Sequence, residues 1–241
     1  MKPNESGLNG EKHPVHIRLL ASFLRTFFKL LYHQFAWTYD WVATIVSLGK
    51  WQNWILSVLP YVEGPNVLEI GHGPGHLLLA LSAAGINAVG LDESSQMSRQ
   101  AYHRILCKGL QPLLINGLAQ HLPFPDSCFS QVLSTFPSEY IYIPQTLAEI
   151  HRVLVPGGEL LVLPAAWITG RKWYDRLAAN LFRVTRQSPD AFTPSLVDEF
   201  STPFQNSGFI VRAEILELEN SRLLLFHALN PKTQFSDNPS P

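Results

Sequence analysis

Charge is scarce in this chain. Only 15% of its 241 residues are Asp, Glu, Lys or Arg, and 18 basic side chains nearly cancel 19 acidic ones. Such a balance lacks the basic excess that a nucleic-acid partner usually requires, so none is expected. Cysteine is scarcer still. Cys107 and Cys128 stand without metal-ligand spacing, which excludes a disulfide framework and a zinc site. A reducing, cytoplasmic setting is the expectation. No secretory signal is visible, because residues 1–14 are polar and carry Pro3, Gly7, Gly10 and Pro14, as a loose tail would. An uninterrupted membrane span is missing too. The one candidate, residues 19–35, contains Arg25 and Lys29, two charges that would be expensive near the centre of a lone span.

What the chain does have is apolar substance, 46% of its residues, enough for one α/β domain with an appended cap. Residues 15–62 read as a helical cap. Arg18, Ser22, Arg25, Lys29 and His33 fall close to one helical face, and the rest of that surface is Leu, Phe and Ile. Trp37, Tyr39, Trp41, Trp51 and Trp54 make the following stretch aromatic before Pro60 and Gly64-Pro65 close it.

From Asn66 onward, short apolar runs alternate with amphipathic stretches. Strands are expected over residues 67–70, 87–91, 112–115, 129–134 and 159–163, with helices over 76–84, 94–106 and 145–154. Pro156-Gly157-Gly158 reads as the turn into the fifth strand. Alternation of this kind implies a parallel sheet with helices on both faces. Residues 164–193 read as a helical insertion, with a helix over 172–185. A further helix over 194–207 follows, capped by Thr193 and stopped by Gly208. Residues 209–218 and 222–229 form an antiparallel hairpin through Glu219-Asn220-Ser221. The Pro- and Ser-rich residues 231–241 read as a disordered tail.

Chemistry concentrates where the first strand meets its helix, at Glu69-Ile70-Gly71-His72-Gly73-Pro74-Gly75. Glycines there let the backbone adopt positive φ and approach a ligand closely, at the strand ends where open α/β sheets bind ligands. By itself the turn could equally be a tight strand–helix connection. Asp92 closes the second strand about twenty residues later, the position of a ribose-binding carboxylate. It could also cap the helix that follows. His72 and His76 straddle Pro74-Gly75 instead of sharing one helix face, so no metal site is expected.

Four segments together resemble class I S-adenosylmethionine (SAM)-dependent methyltransferases. They are Val67-Leu68-Glu69-Ile70-Gly71-His72-Gly73-Pro74-Gly75-His76-Leu77, Gly90-Leu91-Asp92-Glu93-Ser94, Leu122-Pro123-Phe124-Pro125-Asp126-Ser127-Cys128-Phe129, and the stretch from Glu149 through Arg152 to Pro156-Gly157-Gly158. Their order and spacing are those of the family, nearest the branch with the ubiquinone and menaquinone methyltransferases. The resemblance implies a Rossmann-like, doubly wound seven-stranded sheet in order 3-2-1-4-5-7-6, with the C-terminal antiparallel hairpin and the N-terminal helical cap. SAM is the implied cofactor. Glu69 would organise its methionine end, Gly71, His72, Gly73 and Gly75 would form the floor, and Asp92 would hold the ribose. Two positions depart from the family. Leu118 stands where an adenine-binding Asp is usual, leaving backbone contacts from Leu118 and Ala119, and Ser130 replaces an Asp after Phe129.

The implied reaction is in-line methyl transfer to a small, apolar or aromatic acceptor, in which positioning does most of the work. Candidate bases are His33, Tyr39, His72, Glu139 and Tyr140. The aromatic cap and the 167–186 segment would form an apolar lid. Their basic stripes allow transient contact with an anionic membrane surface, or only a solvated face. Two rivals stand: a catalytically degenerate SAM-binding protein, motivated by Leu118 and Ser130, and an NAD(P)-dependent reductase.

Overall fold

The sheet grows outward from β1 (Asn66–Ile70), which pairs in parallel with β2 (Asn87–Asp92) on one side and β4 (Phe129–Thr135) on the other. The computed structural model describes residues 49–169 and 194–231. Beyond β2 lies the short edge strand β3 (Leu114–Asn116), and beyond β4 lie β5 (Leu154–Ile168), β7 (Ser221–Leu229) and β6 (Ile210–Leu218). The order is β3-β2-β1-β4-β5-β7-β6, with β7 antiparallel to both neighbours. The chain is therefore an α/β Rossmann-like fold closed by an antiparallel hairpin, as the sequence implies.

Alternation along β1 sends its side chains to two cores. Val67 packs among Trp51, Trp54, Ile55, Leu77, Leu78, Leu81 and Ile105, supplied by α1 (Trp51–Leu56), α2 (His76–Ala83) and α3 (Ser95–Leu106). Leu68 and Ile70 pack on the opposite face with Leu147, Ile150, Val153 and Phe204, from α4 (Pro144–Val153) and α5 (Pro194–Asn206). Each covering helix is thus tied to the sheet by burial of Leu, Ile, Val and aromatic side chains, worth about 1.5–3 kcal/mol each.

The structure corrects two breaker assignments. β5 is one strand of 15 residues, so Pro156-Gly157-Gly158 is not a turn ahead of it, and residues 164–168 are strand instead of insertion. Bulges absorb the breakers. Leu154 faces Phe129 and Glu159 faces Gln131, which leaves the extra residues around Gly157, at φ 81°, outside the ladder. A second bulge between Val162 and Ala165 accommodates Pro164, which has no N–H to give a ladder. β3 begins at Leu114, two residues later than expected from the apolar run, whereas α2 stops before Gly85 as anticipated. The helix assigned to 172–185, Thr193, residues 1–48 of the tail and cap, and 232–241 lie outside the described residues.

Gly75 joins the Gly turn to α2 in a left-handed conformation, φ 81°, directly against α3. A Cβ there would lie 2.6 Å from Ala101 Cβ and 2.9 Å from Ala101 Cα. Gly75→Ala should therefore cost about 3 kcal/mol, from overpacking plus left-handed strain. Urea denaturation should show a lower midpoint at unchanged slope. A midpoint equal to that of the parent would mean that α2 and α3 are not in such contact.

Candidate active site

The pairing of β1 with β4 ends at Glu69 opposite Leu133, while β4 continues beside β5 as far as Thr135 opposite Leu163. The two central strands therefore part, and their connections leave in opposite directions. This is the switch point at which open α/β sheets form a ligand crevice. The Gly turn follows β1 directly at this point.

The turn is held from three sides. Asp92 Oδ2 accepts from Gly73 N at 2.8 Å, and Asp92 Oδ1 accepts from Ser94 N at 2.8 Å. Gly71 N donates to Leu91 O at 2.7 Å, and Arg104 reaches from α3 to donate to Pro74 O. Asp92 is not the helix cap. That role belongs to Ser94, whose hydroxyl accepts from Met97 N, so the carboxylate serves the turn. Each Asp92 oxygen keeps a second lone-pair direction for a ligand hydroxyl.

Glu69 and His72 lie behind the turn, 2% and 4% exposed, and neither is fully satisfied. Glu69 Oε2 and His72 Nε2 have no hydrogen-bond partner among the described residues. Burial, then repulsion from Asp92, pushes the Glu69 carboxyl well above its ordinary value, and only the Leu78 amide at the start of α2 opposes this. Burial likewise lowers His72 and keeps it neutral. Its Nδ1–H must be the donor to Gly73 O at 2.7 Å, since a carbonyl only accepts, which leaves Nε2 as a bare acceptor. The ring has room because Gly90 opposes it; a Cβ on Gly90 would lie 2.8 Å from His72 Cδ2.

The third wall follows β3. Gly117 N donates to Asp92 O at 3.1 Å, and the Asn116 amide donates to the Asp92 and Glu93 carbonyls, so this loop stays beside Asp92. Leu118 projects outward, 46% exposed, and Ala119 is buried. The segment after them is stapled by Arg152, which donates to Leu122 O, Phe124 O, Asp126 and Glu149, while Glu149 accepts from Leu122 N at 2.8 Å. Glu149 is held below its ordinary value by Arg152. The motif residues of α4 thus act by fixing the loop that carries Leu118 and Ala119.

Not every sequence candidate gathers here. Ser130 bonds Asn66 O at the opposite, amino end of β1, so its departure from the family pattern leaves the crevice untouched. Glu139 is exposed, and Tyr140 bonds Ile70 O and Ser134 at the crevice floor. His33 and Tyr39 lie outside the described residues. No metal-binding group of His, Cys, Asp or Glu occurs among the described residues, nor does any helix there have the length and apolarity to cross a membrane. Sequence reasoning missed Phe136. It follows β4 directly at φ 47°, donates its N–H to Leu163 O, and stacks on Trp51 with ring centres 4.4 Å apart.

The residues fit an adenosine-bearing cofactor with a cationic amino-acid end. A Cβ at Gly73 would meet nothing within 4 Å, so open space lies over the turn, and a buried carboxylate oxygen without a partner stands behind it. Comparison with known proteins agrees. Residues 67–158 match the family described as "Methyltransferase domain". Residues 67–158 therefore carry a SAM-dependent methyltransferase domain.

The methyltransferase is 26% identical over 219 residues to the demethylmenaquinone methyltransferase of Symbiobacterium thermophilum, covering 81% of this chain and 87% of the relative. It is 30% identical over 158 residues to the ubiquinone/menaquinone biosynthesis C-methyltransferase UbiE of Bartonella tribocorum, covering 61% of this chain and 60% of the relative. Among solved structures, a SAM-dependent methyltransferase from Aquifex aeolicus superimposes with a TM-score of 0.51 at 19% identity, over 73% of this chain and 88% of that one. These similarities set the reductase reading aside.

Glu69 makes a pH signature. Below its ordinary value of 4.5 the carboxyl is protonated folded or unfolded, so burial costs nothing. As pH rises past that value the unfolded chain ionises while the folded one keeps its proton, and stability falls until the raised folded value is reached. Glu69→Gln should therefore melt several degrees above the parent at pH 8, with the gap closing toward pH 4. A gap of constant size across that range would show that Glu69 ionises normally in the folded protein.

Proposed function

We propose that this methyltransferase binds SAM over the Gly71–Gly75 turn and transfers its methyl group to a ring carbon of a small, flat, lipophilic hydroquinone. Glu69 and the turn hold the amino-acid end, with His72 buried behind as packing. Asp92 holds the ribose hydroxyls, and Leu118 and Ala119 cover the adenine by apolar contact and backbone hydrogen bonds. Losing the usual side-chain bond to adenine costs about 1 kcal/mol, a loss the anchors at Asp92 and Glu69 tolerate.

One observation carries the acceptor class. Trp51, Trp54 and Phe136 form an aromatic cluster where β4 ends, its closest ring pair tilted by only 31°. Trp51 and Trp54 are buried in the core and back the half-buried Phe136, whose apolar ring just after β4 would favour a flat acceptor over a hydrophilic metabolite. The relatives named for demethylmenaquinone and for ubiquinone or menaquinone biosynthesis support the same class. When bound, SAM supplies an activated methyl on a sulfonium, so the chain must orient the acceptor, exclude water and accept one ring proton. His72 does not take that proton, because it is enclosed behind the turn.

The experiment is transfer of label from [methyl-³H]SAM to short-chain demethylmenaquinol. Label should appear on the ring carbon, and Gly73→Arg should abolish both transfer and calorimetric SAM binding while the melting curve stays cooperative. Label on amines or phenol oxygens with none on the quinol would overturn the acceptor. Normal SAM binding by Gly73→Arg would overturn the cofactor placement. A protein that binds SAM but labels no acceptor of a broad panel would be the degenerate form that Leu118 first suggests.

A further inference from the structure

A cluster of polar side chains lies at the end of the sheet opposite the crevice, where β4, β5, β6 and β7 meet the segment that enters β1. His227 of β7, only 8% exposed, stands between two carboxylates. Its Nδ1 lies 2.9 Å from Glu159 Oε1 on β5, and its Nε2 lies 3.6 Å from Glu214 Oε2 on β6. Each acid is tied further. Tyr61 Oη, from the 3₁₀ turn Leu59–Tyr61 between α1 and β1, donates to Glu214 Oε1 at 2.7 Å. Gln131 Nε2 on β4 donates to Glu159 Oε2 at 3.2 Å and to Tyr61 O at 3.0 Å. Gln131 Oε1 accepts from Glu63 N at 2.6 Å, and the Tyr61 ring meets the imidazole edge-on with centroids 5.4 Å apart. Four strands are thus joined to the connection that carries α1 into β1.

The proton count on the ring decides how well this cluster closes. A carboxylate only accepts, so Nδ1 is the donor to Glu159. A neutral imidazole then turns the Nε2 lone pair on the Glu214 carboxylate, and Nε2 is buried with no hydrogen-bond partner among the described residues. A second proton converts that repulsion into an ion pair. Burial of the ring and Arg212, its cross-strand neighbour, oppose the charge. The Arg212 side chain is 71% exposed and directs its own charge to Glu214 at 3.4 Å, so solvent and that acid blunt it. Glu63 is exposed and meets the cluster through its backbone N–H. The hydrogen bond to Glu214, then burial, raises the Tyr61 phenol above its ordinary value, which leaves it a steady donor.

We propose that His227 is a proton-operated clasp: doubly protonated, it holds the β6–β7 hairpin and residues 59–63 to the sheet, and loss of the Nε2 proton loosens both. Histidine ordinarily changes charge between about pH 5 and 8, so the clasp is closed on the acid side of that range and open on the alkaline side. α1 is joined to β1 through residues 59–63 and carries Trp51 and Trp54, so loosening reaches the aromatic cluster. Asp92 and the Gly turn, tied to each other on the other side of β1, are not affected. None of this depends on which cofactor or acceptor the crevice takes.

Hydrogen–deuterium exchange of the parent and His227→Gln, compared at the same pH, tests the clasp. At about pH 6, amides in residues 59–63 and 210–218 should exchange about fivefold faster in the variant, the scale of one hydrogen bond lost, and the ratio should fall below about twofold at about pH 9. Amides of α3 should exchange alike in both proteins at both values. A ratio unchanged between the two pH values, or equal to one at both, would overturn the clasp, because the ring would then be packing whatever its charge. A ratio that spreads equally over α3 would show global destabilisation and would contradict it too. Glu214→Gln provides the same comparison should His227→Gln misfold. It removes the charge that the second proton answers, so its gap from the parent should likewise be present at about pH 6 and close or reverse at about pH 9, whereas a gap of constant size would overturn the proposal.

Discussion

One carboxylate ties the site together. Asp92 takes Gly73 N with one oxygen and Ser94 N with the other, so the turn after β1 and the turn after β2 cannot move independently. Both bonds are charge-assisted and lie in a buried setting, where such bonds are short and strong. Around this bridge, Arg104 pulls Pro74 toward α3, and Asn116 and Gly117 attach the β3 loop to the Asp92 backbone. Three separate loops thereby become one rim. A cofactor that touches all three needs little reorganisation on arrival, which is where much of the advantage of a preformed site lies.

The same rim stores a cost. Glu69 is buried close enough to Asp92 to feel its charge, and its carboxyl is held protonated well beyond the ordinary range. Folding tolerates this because α2 and α3 bury a large apolar surface on that face of the sheet. A cationic ligand group would relieve the repulsion, so affinity and fold stability are coupled through one side chain. The Arg152 staple shows the complementary case. Its ion pairs are partly exposed and worth little as pairs, yet its bonds to the Leu122 and Phe124 carbonyls hold a loop that has no strand to support it.

Much of this was legible in the residues. The Gly turn, Asp92 and the alternating apolar runs specify β1, β2 and the turns that follow them, because glycine and strand-end acids have local physical reasons to sit there. β5 was misread for an equally physical reason. Proline and glycine break strands on average, but a bulge lets a strand carry them, and bulges depend on partners far away in sequence. Ser130 seemed a defect of the site until the strand direction put it at the opposite end of the sheet from the turn. Phe136 gave no signal, since a left-handed phenylalanine cannot be anticipated without the Trp51 ring it stacks on and the Leu163 carbonyl it bonds.

The central claim is that the Asp92 bridge organises the cofactor site, and Asp92→Asn tests it most directly. The amide places an N–H₂ against one of two backbone donors, so one side of the bridge must fail while the volume stays the same. Calorimetric titration with S-adenosylhomocysteine should then show at least a tenfold weaker complex in a protein that still melts cooperatively, the scale of losing a charge-assisted bond. Binding equal to that of the parent would contradict the account, because it would mean that neither the turn nor the ribose depends on this carboxylate.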